Sequence, residues 1–262
     1  MAVLTRRSRI YIATAALCLA LTQVSVGAAP TDPNLLWKIV HYLCVANERA
    51  HGRPSPCMAV QLRNGEQEGY ALLKDRVGAT EVLLIPTARV TGIESSVVLA
   101  PDAPNYFAFA WQARTFIDRT LHRTLPRENI ALAVNSALGR SQNQLHIHID
   151  CVRTDVRDTL RAAEASIGDT WAPFPLPLAG HRYVAMRLAG QDLTRANPFK
   201  LLADGWPSAG RDMGAQTLVV IGARFANGDP GFILLDDHAD RASGNPGSGE
   251  ELEDHTCAVA RS

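Results

Sequence analysis

From Gln144 to Ile149 polar and aliphatic side chains alternate without a break, with Gln144, His146 and His148 on one parity and Leu145, Ile147 and Ile149 on the other. A repeat of two is that of a strand, whose successive side chains point to opposite faces. The pattern predicts a strand over 144–152, with one apolar face turned inward and Gln144, His146 and His148 side by side on the other. Val60-Gln61-Leu62 and Tyr70 to Lys74 read as earlier strands parted by a turn at Asn64-Gly65, followed by strands over 81–85 and 130–135. Leu35, Leu36, Ile39, Val40 and Leu43 fall at helical spacing and predict a helix over 33–50, with Thr31 or Asp32 as its cap. Residues 104–122 read as a second helix with Pro126 beyond its end, and 154–165 as a third. Further on, 181–187, 217–223 and 231–235 read as strands and 197–202 as a short helix. Trp171 to Leu178 is a Pro-rich connection, and the Gly/Ser-rich run Ser243 to Gly249 reads as mobile. The expected fold class is α+β, an antiparallel sheet with flanking helices.

The beginning of the chain has a different pattern. Arg6, Arg7 and Arg9 precede a stretch from Ile10 to Thr31 that carries no charge, and Val26-Gly27-Ala28 has the small residues of a cleavage site. About 20 apolar residues suffice to span a bilayer, so the segment reads equally as a cleaved signal or as an uncleaved anchor. Either reading exports the remainder, because the basic end stays inside. The domains expected are therefore 1–31 as signal or anchor and 32–262 as the folded part.

Among the 262 residues, 26 basic and 26 acidic side chains balance. Such a chain has no overall attraction to a polyanion, which disfavours a nucleic-acid partner. Of the five cysteines, Cys18 lies in the apolar N-terminal stretch, and Cys44, Cys57, Cys151 and Cys257 form an even set in the exported part. Four cysteines allow three connectivities. The favoured one pairs Cys44 with Cys57 across a short Pro-rich loop, and Cys151 with Cys257 to tie the later chain to the end of the histidine strand. No Cys-x-x-Cys spacing suggests zinc, and neither metal nor cofactor is expected.

Two imidazoles on one strand face, about 7 Å apart by strand geometry, can serve as nucleophile, acid/base pair or metal ligands near neutral pH. His181, His238 and His255 are scattered and read as surface or capping residues, and Asp236-Asp237-His238 as a solvated turn. His255 lies two residues before Cys257, so the expected disulfide would carry it towards the histidine strand.

The stretch Gln144-Leu145-His146-Ile147-His148 resembles the H-φ-H-φ-H motif of the histidine-triad superfamily, with glutamine in place of the first histidine. Gly139 and Ser141 match the lead-in to that motif, Asn135 matches an upstream asparagine, and Glu81 to Pro86 followed by Thr87 to Ile93 resembles the family's strand and its turn. The resemblance covers roughly 60–155, and 156–262 reads as a degenerate second copy, which would make the chain a pseudo-dimer. Within the superfamily, the run Ser141 to Cys151 together with the N-terminal segment is most similar to bacterial CDP-diacylglycerol pyrophosphatases. That resemblance implies a hydrolase that splits CDP-diacylglycerol into CMP and phosphatidate, anchored in the bacterial inner membrane with its domain in the periplasm. It implies His146 as nucleophile with His148 beside it, and Gln144, Ser141, Asn135 and the strand-end Lys74 as phosphate or nucleotide contacts. An amide cannot protonate a leaving group, so Gln144 weakens general-acid catalysis, which a phosphatidate leaving group needs little of. The competing readings are an exported nucleotide or nucleotide-sugar pyrophosphatase and a non-catalytic periplasmic binding protein for nucleotides or metals.

Overall fold

A computed structural model describes residues 32–261, so the expected signal or anchor over 1–31 lies outside the described residues. The described strands are β1 (Ala59–Gln61), β2 (Tyr70–Lys74), β3 (Val82–Pro86), β4 (Ile130–Val134), β5 (Ile147–Cys151), β6 (Ala172–Pro173), β7 (Val184–Ala189), β8 (Gln216–Arg224) and β9 (Pro230–His238). They form one sheet in the order β1-β2-β3-β5-β4-β8-β9-β7-β6, and every neighbouring pair is antiparallel. β4 and β8 meet at the centre. Outwards from them the order is β5-β3-β2-β1 on one side and β9-β7-β6 on the other. The α+β class and antiparallel sheet expected from the pattern are what the structure has.

Register decides which residues share a face. Ala133 lies opposite both His148 and Val219, and Leu83 opposite His148, so these four side chains point the same way. Leu132, Ile149 and Val220 share the opposite face, which is sealed by the helices Tyr106–Ala113 and Pro198–Gly205. There Trp111 packs on Phe232 with ring centroids 4.8 Å apart, and Phe107 on Phe199 at 4.9 Å. Gly222 allows this contact, because a Cβ there would lie 2.7 Å from the Trp111 ring and 2.2 Å from the Arg127 carbonyl.

The histidine face is covered too. A helical run over 35–51, with a middle of wider turns (Ile39–Val45), lays Leu36, Val40, Cys44 and Val45 on Ala71, Leu83 and Ile85. The chain after β9 crosses the rest of this face. It is tied by Ser136 N to the Gly247 carbonyl (2.9 Å), Gly249 N to Asn135 Oδ1 (2.8 Å) and Arg153 N to the Leu252 carbonyl (3.0 Å). The Ser243 to Gly249 run is therefore not the loose segment its composition suggests. A Cβ on Gly249 would meet Val219, Ala133 and Thr217 at 2.9–3.2 Å, so glycine is what lets this strap lie flat on the sheet.

Other departures are local. The histidine strand starts at Ile147 rather than Gln144, the helix expected over 104–122 divides at Arg114 into Tyr106–Ala113 and Thr115–Leu121, and the Pro-rich connection holds the short β6. The helix Pro207–Arg211 has too few residues to show a periodic pattern. Among the described residues no helix is long and apolar enough to cross a membrane.

Both favoured disulfides are present, Cys44–Cys57 across 13 residues and Cys151–Cys257 across 106. In the loop-entropy picture closures of these sizes contribute about 3 and about 4.7 kcal/mol. Peptide mapping of unreduced protein should recover these two pairs, and a Cys44→Ser/Cys57→Ser variant should lose about 3 kcal/mol in denaturant unfolding. A Cys44–Cys151 peptide would overturn the pairing.

Candidate active site

His146 and His148 sit where a loop enters β5. Leu145 N donates to the Val90 carbonyl at 2.6 Å, and Gln144 Nε2 donates to the carbonyls of Pro86 (3.0 Å) and Ala88 (2.8 Å). The approach to β5 is thus fastened to the loop that leaves β3. Both hydrogens of the Gln144 amide are used in this way, so its side chain holds backbone rather than reaching for a phosphate. Its main-chain carbonyl is what meets the site, 2.7 Å from His146 Nδ1.

That contact fixes a tautomer. A carbonyl can only accept, so Nδ1 carries the hydrogen and Nε2 keeps its lone pair. Burial, and next to it the charge of His148, lower the His146 pKa to about 4, so the ring is neutral at ordinary pH. His148 differs. Burial pulls its pKa down, but the bond to Glu81 and the negative charges of Glu250, Glu81 and Asp75 outweigh burial and raise it. Its Nδ1 is 2.6 Å from Glu81 Oε1, and its Nε2 is 3.2 Å from Glu250 Oε1. The two rings stand 4.8 Å apart, nearly edge to face. A neutral imidazole with a free lone pair therefore lies beside one whose carboxylate neighbours favour its protonated form, a pair suited to attack on phosphorus and to stabilising the charge that develops there.

Of the other residues singled out from the sequence, Asn135 is at the site. Its Oδ1 accepts from Gly249 N and its Nδ2 donates to Glu250, so it positions the strap and its carboxylate. Ser141 is exposed on the turn into β5. Lys74 is turned into its own loop, where Nζ donates to the carbonyls of Asp75 (2.7 Å) and Gly78 (3.0 Å). In this arrangement the loop carbonyls take its hydrogens. His255 is where its disulfide was expected to carry it, with Nδ1 2.9 Å from Asp150 Oδ2.

Glu81, Glu250 and Glu253 were not among the sequence candidates. Glu81 stands just before an apolar strand, and only the β3–β5 register brings it to His148. The other two lie beyond the glycine-rich run, with no periodicity to mark them. On the far half of the sheet the strap also carries Glu251, which accepts from Tyr183 Oη and meets His181 Nδ1 at 2.8 Å. Two cavities of about 700 and 710 Å³ lie elsewhere, one lined by Trp171 and Lys200, the other by Arg157 and Arg224, and neither includes the paired histidines.

The sequence matches the family described as CDP-diacylglycerol pyrophosphatase over residues 31–261. The chain belongs to that family. It is thus a hydrolase of a pyrophosphate bond, its substrate class is CDP-diacylglycerol, and a non-catalytic binding protein is not favoured. All of the described residues fall within the match, including the strap.

Replacing Gln144 by leucine would leave two buried carbonyls, those of Pro86 and Ala88, without their donor. Such groups cost about 1–3 kcal/mol each. Urea unfolding of Gln144→Leu should show a loss in that range or above it, whereas an unchanged midpoint would mean that the amide does not hold the loop.

Proposed function

We propose that the pyrophosphate is split in two displacements through His146. The observation that carries this reading is the His146 bond to the Gln144 carbonyl, which leaves Nε2 unprotonated in a ring that burial keeps neutral. Nε2 attacks the cytidylyl phosphorus, the bond from that phosphorus to the bridging oxygen breaks, and phosphatidate departs with the electron pair. The resulting cytidylyl-imidazole is positively charged, with Nδ1–H still directed at the carbonyl. Water then attacks the same phosphorus, the P–N bond breaks, and CMP and a proton are released. His148 donates Nε2–H to the non-bridging oxygens in both steps. Gln144 and Asn135 are positioning residues in this scheme.

Two results would test it. His146→Ala should abolish turnover in a folded protein, and His148→Ala should lower it by about 10²–10³-fold, the usual cost of one lost charge-stabilising donor. In labelled water the label must enter CMP and not phosphatidate. Label in the lipid product means that water attacks the other phosphorus, and the covalent route then fails even if His146 proves essential.

We infer also that the sheet is a fused pair of histidine-triad-like units. The reading is supported by the parallel orders β4-β5-β3-β2 and β8-β9-β7-β6, and by two helices between β3 and β4 and two between β7 and β8. The second unit has Leu234, Leu235 and Asp236 along β9 and no histidine pair there.

We propose, finally, that the domain works at a membrane, on the periplasmic side of an inner membrane. The lipid substrate, the uncharged stretch 10–31 and the disulfides support this. So does the outer face of the 35–51 run, where Leu35, Tyr42 (63% exposed) and Leu43 stand in solvent, with Met58 exposed just after the Cys57 bridge. A Tyr42→Asp/Leu43→Asp variant of the full chain should show a KM raised several-fold for substrate in vesicles, with short-chain monomeric substrate turned over as before. An unchanged KM on vesicles would remove this face from the membrane.

A further inference from the structure

Behind His148 the fold gathers more carboxyl groups than imidazoles. Glu81 comes from the chain entering β3, Asp150 from β5 and Glu253 from the strap, and all three are buried. Two imidazoles face them. His148 Nδ1 lies 2.6 Å from Glu81 Oε1, and His255 Nδ1 lies 2.9 Å from Asp150 Oδ2 and 3.2 Å from Glu81 Oε2. The Thr80 hydroxyl and the Cys151 amide donate to the remaining oxygen of Asp150 at 2.6 and 2.8 Å. Each oxygen of Glu81 and Asp150 therefore has a polar partner.

Glu253 does not. It is 6% exposed, and neither carboxylate oxygen has a hydrogen-bond partner among the described residues. Burial first, and then the negative charges of Asp150, Glu81 and Glu250, hold its carboxyl well above the usual carboxylate range, so with no cation beside it the group is costly to ionise. Glu250 at the rim makes a fourth carboxyl group against two imidazoles. Buried ions persist when they are paired or when they bind a metal. One ligand atom from each of Glu81, His148 and Glu253 lies within 4.8 Å of the other two, and Glu81, Asp150 and His255 form a second such group that shares Glu81.

We propose that this pocket is a divalent-cation site, with Glu81 and Glu253 as carboxylate ligands and His148 as the imidazole ligand. The donor set is oxygen-rich with one nitrogen, which suits Mn²⁺, with Mg²⁺ as the harder alternative. A charge of +2 opposes the like-signed carboxylates gathered around Glu253. With Nδ1 of His148 on the ion the ring is neutral, and its Nε2–H is the donor on the side of Glu250. The spacing along the chain does not reveal the site, because its ligands come from three separate segments. The site stands or falls apart from the route through His146, since it is tested without substrate.

The test is Mn²⁺ titration of the purified full chain after EDTA treatment, read by the free-ion EPR signal and by melting temperature. Wild type should bind about one equivalent with a Kd of about 0.1 mM or tighter, and its melting temperature should rise with Mn²⁺. Glu253→Gln keeps the shape and removes the charge, and should weaken Mn²⁺ at least about tenfold. Glu251→Gln, on the same strap but facing His181, should bind Mn²⁺ as wild type does. No binding by wild type overturns the proposal, as does unchanged binding by Glu253→Gln or loss of binding by Glu251→Gln. Glu253→Gln melting higher than wild type in EDTA, with no Mn²⁺ effect on either, assigns Glu253 as a buried neutral acid and also overturns it. If Glu253→Gln does not fold, Glu253→Asp keeps the charge but shortens its reach, and unchanged affinity in that variant overturns the proposal equally.

Discussion

Much of this molecule is arranged around one hydrogen bond, from His146 Nδ1 to the carbonyl of Gln144. For the bond to form, the backbone two residues before His146 must be held still, and the Gln144 amide does so by gripping the loop after β3. That loop is placed by β3, which pairs with β5 and with β2. The tautomer of one ring therefore depends on the register of three strands. A carbonyl is well suited to the task, since it accepts a hydrogen bond from the ring and has no hydrogen to offer in return.

The second requirement is electrostatic. Two imidazoles 4.8 Å apart cannot both be charged cheaply inside a protein. The fold separates them by setting two carboxylates against His148, while on His146 the pull of Glu250 is outweighed by burial and by His148. Glu81 lies on His148 Nδ1 and Glu250 near its Nε2, while His146 has a neutral carbonyl. Burial acts on both rings and opposes charge on both. The difference in their neighbours moves the two pKa values in opposite directions, down for His146 and up for His148.

The period-two alternation from Gln144 to Ile149 was enough to find both histidines and their shared face, because strand parity is a local property. The pairing of Cys44 with Cys57 and of Cys151 with Cys257 was legible from spacing and from where each segment had to end. Glu81 was visible as a letter but not as a partner of His148, since that contact is a matter of register between strands more than sixty residues apart. The strap was misread for a physical reason. Glycine and serine normally mark freedom, yet Gly249 is small because Ala133 and Val219 leave no room for more. The grip of the Gln144 amide on the Pro86 and Ala88 carbonyls was not legible, because an amide can hold backbone as well as a ligand and the partner loop is distant in sequence.

The bridge from Cys151 to Cys257 joins the end of the histidine strand to a segment synthesised 106 residues later. During biosynthesis the residues of β3, β4 and β5 are made long before Glu250 and Glu253 exist. Newly made chains thus pass through a stage in which both histidines are present but the carboxylates of the strap are not yet beside them. The strap can then dock through its hydrogen bonds, but its covalent tie to the histidine strand waits for both thiols to meet an oxidant.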